Sequence, residues 1–239
     1  MSLLVVSPAY YHTQADQDEW SGRMQATARR LGLEILVFGL GKQIDCHNTN
    51  AQSWDLIEVL NSRTEEHVLI CDCVDVAFLA PEEEILEKFK TFNAGMVVSG
   101  EKDALCGMPK TGVRMHEINS PGYFTNLNIG LWMGERKYAT HCLAESMRLY
   151  RYNPEDPTYV PDSPQAWMAL MMAWGGGPDF VLDKNCVLFQ SMGLWGPEDV
   201  EHVDKRVHNL KTNTWPIALH YNGDKSYGAY YAKIAELLA

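Results

Sequence analysis

Short apolar runs alternate with amphipathic stretches along the first half of the chain. Leu3 to Ser7 is a continuous apolar run of strand length, and after it Trp20, Met24, Ala28 and Leu31 recur at helical spacing, with Gly32 as a stop. Leu33 to Phe38 predicts a second strand running into Gly39-Leu40-Gly41, and a helix across Ser53 to Leu60 leads to the apolar run that starts at His67. Pro81 is expected to open the next helix at its favoured first position, with Glu82, Glu83 and Glu84 at the positive end of the dipole. Ile85, Phe89 and Phe92 form that helix's inward stripe, and Ala94 to Ser99 gives a further strand closing on Glu101. The β-α-β-α-β-α-β order implies a parallel sheet covered by helices.

The second half is less regular. Strands are predicted near Asn128 to Met133 and Phe180 to Asp183, and helices at 136–150 and 163–174. Repeats, linkers and low-complexity tracts are absent from the sequence, so a single domain over 1–239 is expected.

Composition narrows the class. Forty-six per cent hydrophobic content and seven Trp in 239 residues describe a packed globular protein. No run approaches the length of a membrane span, and the start, Met1 to Pro8, reads as a first strand and not as a signal peptide. The six cysteines, at 46, 71, 73, 105, 142 and 186, form no C-x-x-C, which points to reduced thiols in a cytoplasmic setting. A formal charge of −11 tells against broad binding of a phosphate backbone, though not against a local basic groove.

The stretch richest in chemistry is His67-Val68-Leu69-Ile70-Cys71-Asp72-Cys73-Val74-Asp75. A buried strand ends here in two carboxylates three residues apart, and α/β sheets collect ligands at the carboxyl ends of their strands. The two charges repel unless a cation lies between them, and hard divalent ions take oxygen ligands. On its own such a pair is more commonly a capping Asp followed by a solvated one. His220 follows the apolar run Ile217-Ala218-Leu219, so a strand would carry it to the same edge; a lone histidine there is otherwise a hydrogen-bonded core residue. Asn222-Gly223 supplies a tight turn beside it, and Lys225 a nearby point charge.

Taken in order, these motifs resemble the glycosyltransferase domain of the procollagen lysyl hydroxylases and its stand-alone relatives. Asp72-Cys73-Val74-Asp75 matches the family's D-x-x-D, and Glu101 its following glutamate. Leu127-Asn128-Ile129-Gly130-Leu131-Trp132-Met133-Gly134 matches L-N-S-G-x-x-x-G, Leu182-Asp183 with Phe189-Gln190 matches L-D-x-x-x-x-x-F-Q, and His220-Tyr221-Asn222-Gly223-Asp224-Lys225 matches the H-x-N-G-x-x-K ending with the lysine one residue early. Val5-Val6-Ser7 and Val37 to Gly41 are similar to the family's opening.

The resemblance implies a GT-A-like, Rossmann-type mixed sheet flanked by helices, with a nucleotide-binding half (1–101) and a half that completes the acceptor and metal sites (102–239). It also implies a metal-dependent transfer of a sugar from a nucleoside diphosphate, a UDP-sugar in the first instance, to a hydroxyl on a glycan, a protein or a hydroxylated DNA base. It assigns Asp72, Asp75 and His220 to the metal, and two oxygens with one nitrogen suit Mn²⁺, with Mg²⁺ the alternative, better than Ca²⁺. Ser7, Ala9, Tyr10, Asp72, Glu101, Gln190, Asn222, Gly223 and Lys225 go to the donor. The catalytic roles fall to Asn128 facing the donor sugar, Asp162 orienting donor or acceptor, and Lys225 meeting the diphosphate.

Two departures stand out. Val74 occupies the place of an aromatic residue suited to stacking on uracil, so base selectivity is expected to be weaker unless Tyr10 supplies the ring. The family's D-D-Q reads Asp162-Ser163-Pro164-Gln165, where Asp162 is equally a helix cap. Trp167, Trp174, Trp195 and Trp215 are candidates for stacking on an acceptor, or core anchors. A catalytically silent nucleotide-sugar binding module and a metal-dependent phosphohydrolase stay open as alternatives.

Overall fold

The structure is a computed structural model and describes residues 2–42, 49–102, 124–150, 168, 179–193, 199–222 and 227–239. In chain order the elements begin with β1 (Leu3–Pro8), α1 (Gln14–Arg30), β2 (Ile35–Phe38), α2 (Thr49–Asn61) and β3 (His67–Cys71). There follow β4 (Val76–Phe78), α3 (Glu82–Lys90), β5 (Met96–Glu101), β6 (Asn126–Glu135) and α4 (Arg136–Tyr150). The remainder is β7 (Phe180–Asp183), β8 (Phe189–Ser191), β9 (Val200–Val203), β10 (Arg206–Asn209), β11 (Ala218–His220) and α5 (Tyr227–Leu238). The predicted helix at 163–174 lies outside the described residues apart from Met168.

Six strands form one sheet in the order β2-β1-β3-β6-β5-β7. The all-parallel sheet suggested by the order of elements is corrected by one strand, and the sheet is mixed, as the family resemblance implies. β1 pairs in parallel with β2 and β3, and β5 with β7, but β6 runs antiparallel between β3 and β5. Its ten residues are buried almost throughout, a run that suits the middle of a sheet covered on both faces, so it displaces β5 from β3.

Both faces are dry, and the strand alternation assigns each side chain to one of them. Leu4, Val6, Val68, Ile70, Met96, Val98 and Trp132 pack against Leu56, Ile57 and Leu60 of α2 and Ala139, Leu143 and Met147 of α4. Val5, Leu69, Cys71, Val97, Leu131 and Met133 pack on the other face against Met24 and Ala28 of α1 and Ile85, Leu86 and Phe89 of α3.

Local signals explain both ends of α1 and the start of α3. Thr13 caps α1 by accepting the Asp16 N–H at 3.1 Å, and Gly32 leaves the helix at φ +73°. Pro81 is the residue just before α3 and not its first turn, and Phe92 sits in the turn past its end, half-buried against the core. Trp20 departs from the predicted stripe. The buried face of α1 is Gln17, Ser21, Met24, Thr27 and Ala28, and Trp20 is 42% exposed at its flank. Small polar residues take the centre of that face because their groups are satisfied locally: Ser21 Oγ donates to Gln17 O, Thr27 Oγ1 to Met24 O, and Gln17 Nε2 to Ala9 O.

A second, three-stranded sheet, β4-β11-β8, continues from the carboxyl end of β3. β11 pairs antiparallel with β4, setting His220 opposite Val76, and parallel with β8, setting it opposite Ser191. The far face of this sheet packs Ala77, Leu79, Leu219 and Tyr221 against Ile234 and Leu237 of α5. The β3–β4 loop, residues 72–75, therefore bridges the two sheets. The four described cysteines, Cys71, Cys73, Cys142 and Cys186, are free thiols, and among the described residues no helix is long and apolar enough to cross a membrane.

Candidate metal centre

The bridging loop is pinned at both ends by backbone bonds. Asp72 N–H donates to Gly130 O at 2.9 Å, extending the β3–β6 ladder by one rung, and Tyr221 N–H donates to Asp75 O at 2.9 Å. These bonds carry both carboxylates to His220. Its Nε2 lies 3.2 Å from Asp72 Oδ2 and 3.4 Å from Asp75 Oδ1, and one ligand atom from each of the three residues falls within 4.8 Å of the others. Asp75 and His220 are buried, whereas the Asp72 side chain is 55% exposed, so the trio opens to solvent on the Asp72 side.

Electrostatics fit a cation at this point. Burial disfavours an imidazolium, but the Asp75 carboxylate, followed by hydrogen bonds with Asp72 and Asp75, outweighs it and pushes His220 up to about 10. A positive charge is thus favoured between the acids even in a dry position. Two carboxylate oxygens and an imidazole nitrogen are a donor set for a borderline divalent ion such as Mn²⁺. Cys73, between the acids in sequence, is pushed up to about 12, by burial first and then by Asp72, so it stays a protonated thiol beside Tyr11 Oη. Its sulfur is not among the three converging ligand atoms.

Other predicted residues join the trio through hydrogen bonds. His220 Nδ1 is 3.0 Å from Asn128 Oδ1, Asn128 Nδ2 donates to Glu101 Oε2 at 3.0 Å, and Asn222 Nδ2 donates to the same oxygen at 2.7 Å. The structure thus brings Asp72, Asp75, Glu101, Asn128, His220 and Asn222 into one connected group.

Ser7, Ala9 and Tyr10 lie at the carboxyl end of β1, and the neighbouring contact of Tyr11 Oη with Cys73 Sγ, 3.9 Å, sets that loop beside residues 72–75. Tyr10 packs edge-on to Phe38, and its hydroxyl donates to Asp55 Oδ2 at 3.3 Å. Gly39, at φ +105°, leaves room for the Tyr10 ring, which a Cβ there would meet at 2.8 Å. Val74 is half-buried in the bridging loop. Gln190 is fully buried, its Nε2 donating to Ser191 O and its Oε1 accepting from Asn209 Nδ2. Trp215 is stacked on His208 at 4.7 Å. Asp162, Gly223, Lys225, Trp167, Trp174 and Trp195 lie outside the described residues.

One residue of the site escaped the sequence reading. A Cβ on Gly130 would fall 2.0 Å from His220 Cε1, so the missing side chain is the space the imidazole occupies. The glycine is visible in the L-N-x-G motif, but nothing in the sequence says what fills the gap.

No family model matches the chain. Among curated proteins it is similar to an uncharacterized protein of Acanthamoeba polyphaga mimivirus, at 22% identity over 208 residues, 84% of this chain but 42% of that protein. The chain therefore spans less than half the length of this curated relative. Among solved structures it is similar to a glycosyltransferase involved in glycosylation of the major capsid of PBCV-1, with a TM-score of 0.56 and 11% identity over 98% of both chains. Mouse xyloside xylosyltransferase 1, in its apo form, aligns with a TM-score of 0.50 and 9% identity over 93% of this chain and 98% of that one. What is shared at these identities is the fold, a GT-A-like mixed sheet flanked by helices.

Proposed function

We propose that the chain is a glycosyltransferase that moves a sugar from a nucleoside diphosphate, a UDP-sugar in the first instance, to a hydroxyl acceptor with the help of a divalent ion, Mn²⁺ or Mg²⁺. The observation that carries this is the convergence of Asp72, Asp75 and His220 at the edge where the main sheet of a glycosyltransferase-like fold meets the smaller one. A bound divalent ion would supply Lewis-acid neutralisation of the departing diphosphate. Asp75 and His220 are the buried anchors for that ion, and Asp72 is the ligand on the open side, where a diphosphate would enter. Ser7, Ala9 and Tyr10, at the end of β1 beside the same loop, are the proposed nucleoside contacts. Lys225, with Gly223 at the turn before it, is the proposed counter-charge for the diphosphate, and Asp162 the candidate to orient donor or acceptor; these three rest on the family resemblance alone. The acceptor is a hydroxyl on a glycan, a protein or a hydroxylated DNA base.

The test is incubation with a panel of nucleotide sugars and Mn²⁺, following diphosphate release with and without candidate acceptors. Slow hydrolysis of one donor, dependent on Mn²⁺ and absent in Asp75→Ala, is the expected result. Donor binding without any turnover would favour a silent binding module. Release of inorganic phosphate from simple phosphate esters would favour a phosphohydrolase.

A further inference from the structure

Behind His220, on the side away from the two aspartates, a chain of buried side chains leads back to the end of β5. Glu101, 4% exposed, accepts on Oε2 from both Asn128 Nδ2 and Asn222 Nδ2, at 3.0 and 2.7 Å. Asn128 Oδ1 accepts the Gly130 N–H at 2.8 Å, and Asn222 Oδ1 accepts the Gly193 N–H at 2.9 Å. A carboxylate can only accept and a backbone N–H can only donate, so each amide has one orientation that satisfies both its neighbours. Turning Asn128 over would set its NH₂ against the Gly130 N–H and its oxygen against Glu101, two repulsions in a site with no water-like dielectric to soften them.

With the amide so oriented, His220 Nδ1 faces an acceptor at 3.0 Å and must carry a proton. In the neutral ring this leaves Nε2 bare, and Nε2 is the atom that faces Asp72 and Asp75. We infer that Glu101 and Asn128 are positioning residues for His220: Glu101 fixes the Asn128 amide, and Asn128 holds the imidazole in the tautomer that reserves Nε2 for a divalent cation. This rests on the reading of the trio as a metal site, and it assigns both residues an action through His220. One carboxylate oxygen accepts from both amides, and a glutamine whose carbonyl takes that place would keep both bonds, so what position 101 supplies is the acceptor. Without an acceptor there Asn128 Nδ2 is left unpaired, and the relief open to the amide is to turn over, which would offer Nδ2 to His220 Nδ1 and move the ring proton to Nε2, where the cation belongs.

The test uses the full chain and Mn²⁺ alone, with free Mn²⁺ counted by electron paramagnetic resonance, for wild type, Asp75→Ala, Glu101→Leu, Glu101→Gln and Asn128→Ala. Loss of a partner behind a metal-bound histidine typically weakens metal binding about ten- to a hundredfold. That loss is expected in Glu101→Leu and Asn128→Ala, neither of which alters a ligand, whereas Glu101→Gln, which keeps an accepting oxygen, should stay near wild type. A second readout is the ¹⁵N spectrum of His220 in protein loaded with ¹¹³Cd²⁺. Wild type should show the cadmium coupling on Nε2 and the proton on Nδ1, and Glu101→Leu should lose that pattern, a change that mere loss of stability would not produce. Wild-type Mn²⁺ affinity and an unchanged ring spectrum in Glu101→Leu would overturn the positioning role while leaving the metal site standing. Failure of wild type to bind Mn²⁺, or unchanged binding in Asp75→Ala, would overturn the metal reading itself. Should one of Glu101→Leu and Asn128→Ala fail to fold, the other decides alone.

Discussion

The imidazole of His220 is held by three different kinds of constraint, and each belongs to a single residue. Asp75 supplies the opposite charge, Asn128 the acceptor behind the ring, and Gly130 the empty volume in which the ring lies. The first was legible through the family resemblance, which groups Asp75 with His220; the two motifs taken singly are more commonly a helix cap and a core histidine. The third was not, since room for a ring from another strand is a tertiary property that no local pattern encodes. It is nevertheless testable. A methyl at position 130 would lie 2.0 Å from Cε1 and 2.6 to 2.7 Å from the two ring nitrogens, so the ring must leave its place or β6 must bulge. Gly130→Ala should therefore lose at least tenfold in Mn²⁺ affinity, at an overpacking cost of about 1–3 kcal/mol in stability. Titration calorimetry and thermal melting check the two parts separately, and unchanged affinity would mean that the ring position is not needed for binding.

Among the elements, the strands of the first half were the most legible, because continuous apolar runs bounded by turn residues have one natural home in a sheet covered on both faces. The insertion of β6 was hidden. An antiparallel partner between β3 and β5 leaves the same apolar run in the sequence as a parallel one would, so the order of elements suggested a parallel sheet and only the family resemblance implied a mixed one. The turn after β7 shows a second limit. Asp183 was read as part of a motif, yet its carboxylate builds the turn itself: Oδ1 accepts the Val187 N–H at 2.9 Å, and Oδ2 accepts the Leu188 and Phe189 N–H groups at 2.7 and 2.8 Å. This turn delivers β8 alongside β11, where Ser191 faces His220. Asp183→Ala leaves three backbone donors without their acceptor, two of them on buried residues, and should cost about 3 kcal/mol in urea denaturation. A loss below about 0.5 kcal/mol, the level of an ordinary surface substitution, would show that other acceptors replace it.

At the scale of the whole molecule, a fold shared at 11% identity says little about which donor or acceptor is used, but it places the candidate centre at a junction on which much of the structure depends. Asp72 and Asp75 leave the end of β3, His220 ends β11, and the groups behind it come from β5 and β6, so a cation held there ties both sheets together. Without that cation, a protonated His220 is the positive charge that faces the two acids. An ion that binds the folded chain and not the unfolded one stabilises by mass action, about 2.7 kcal/mol at a hundredfold excess over Kd. For a chain of 239 residues that corresponds to a rise in Tm of roughly 5–10 °C. Mn²⁺ should produce such a rise in the metal-free protein, excess EDTA should reverse it, and Ca²⁺ should do less because one of the three ligands is nitrogen. With a net charge of −11, diffuse attraction of any divalent ion to the acidic surface is the competing cause of a shift. Salt separates the two. Surface attraction fades once the Debye length shrinks to about 3 Å at 1 M, whereas coordination by partly buried groups is screened much less. A Mn²⁺-dependent rise that survives high salt in wild type and is missing in Asp75→Ala is the expected pattern; equal shifts in the two proteins would place the ion on the surface and leave the trio without a metal.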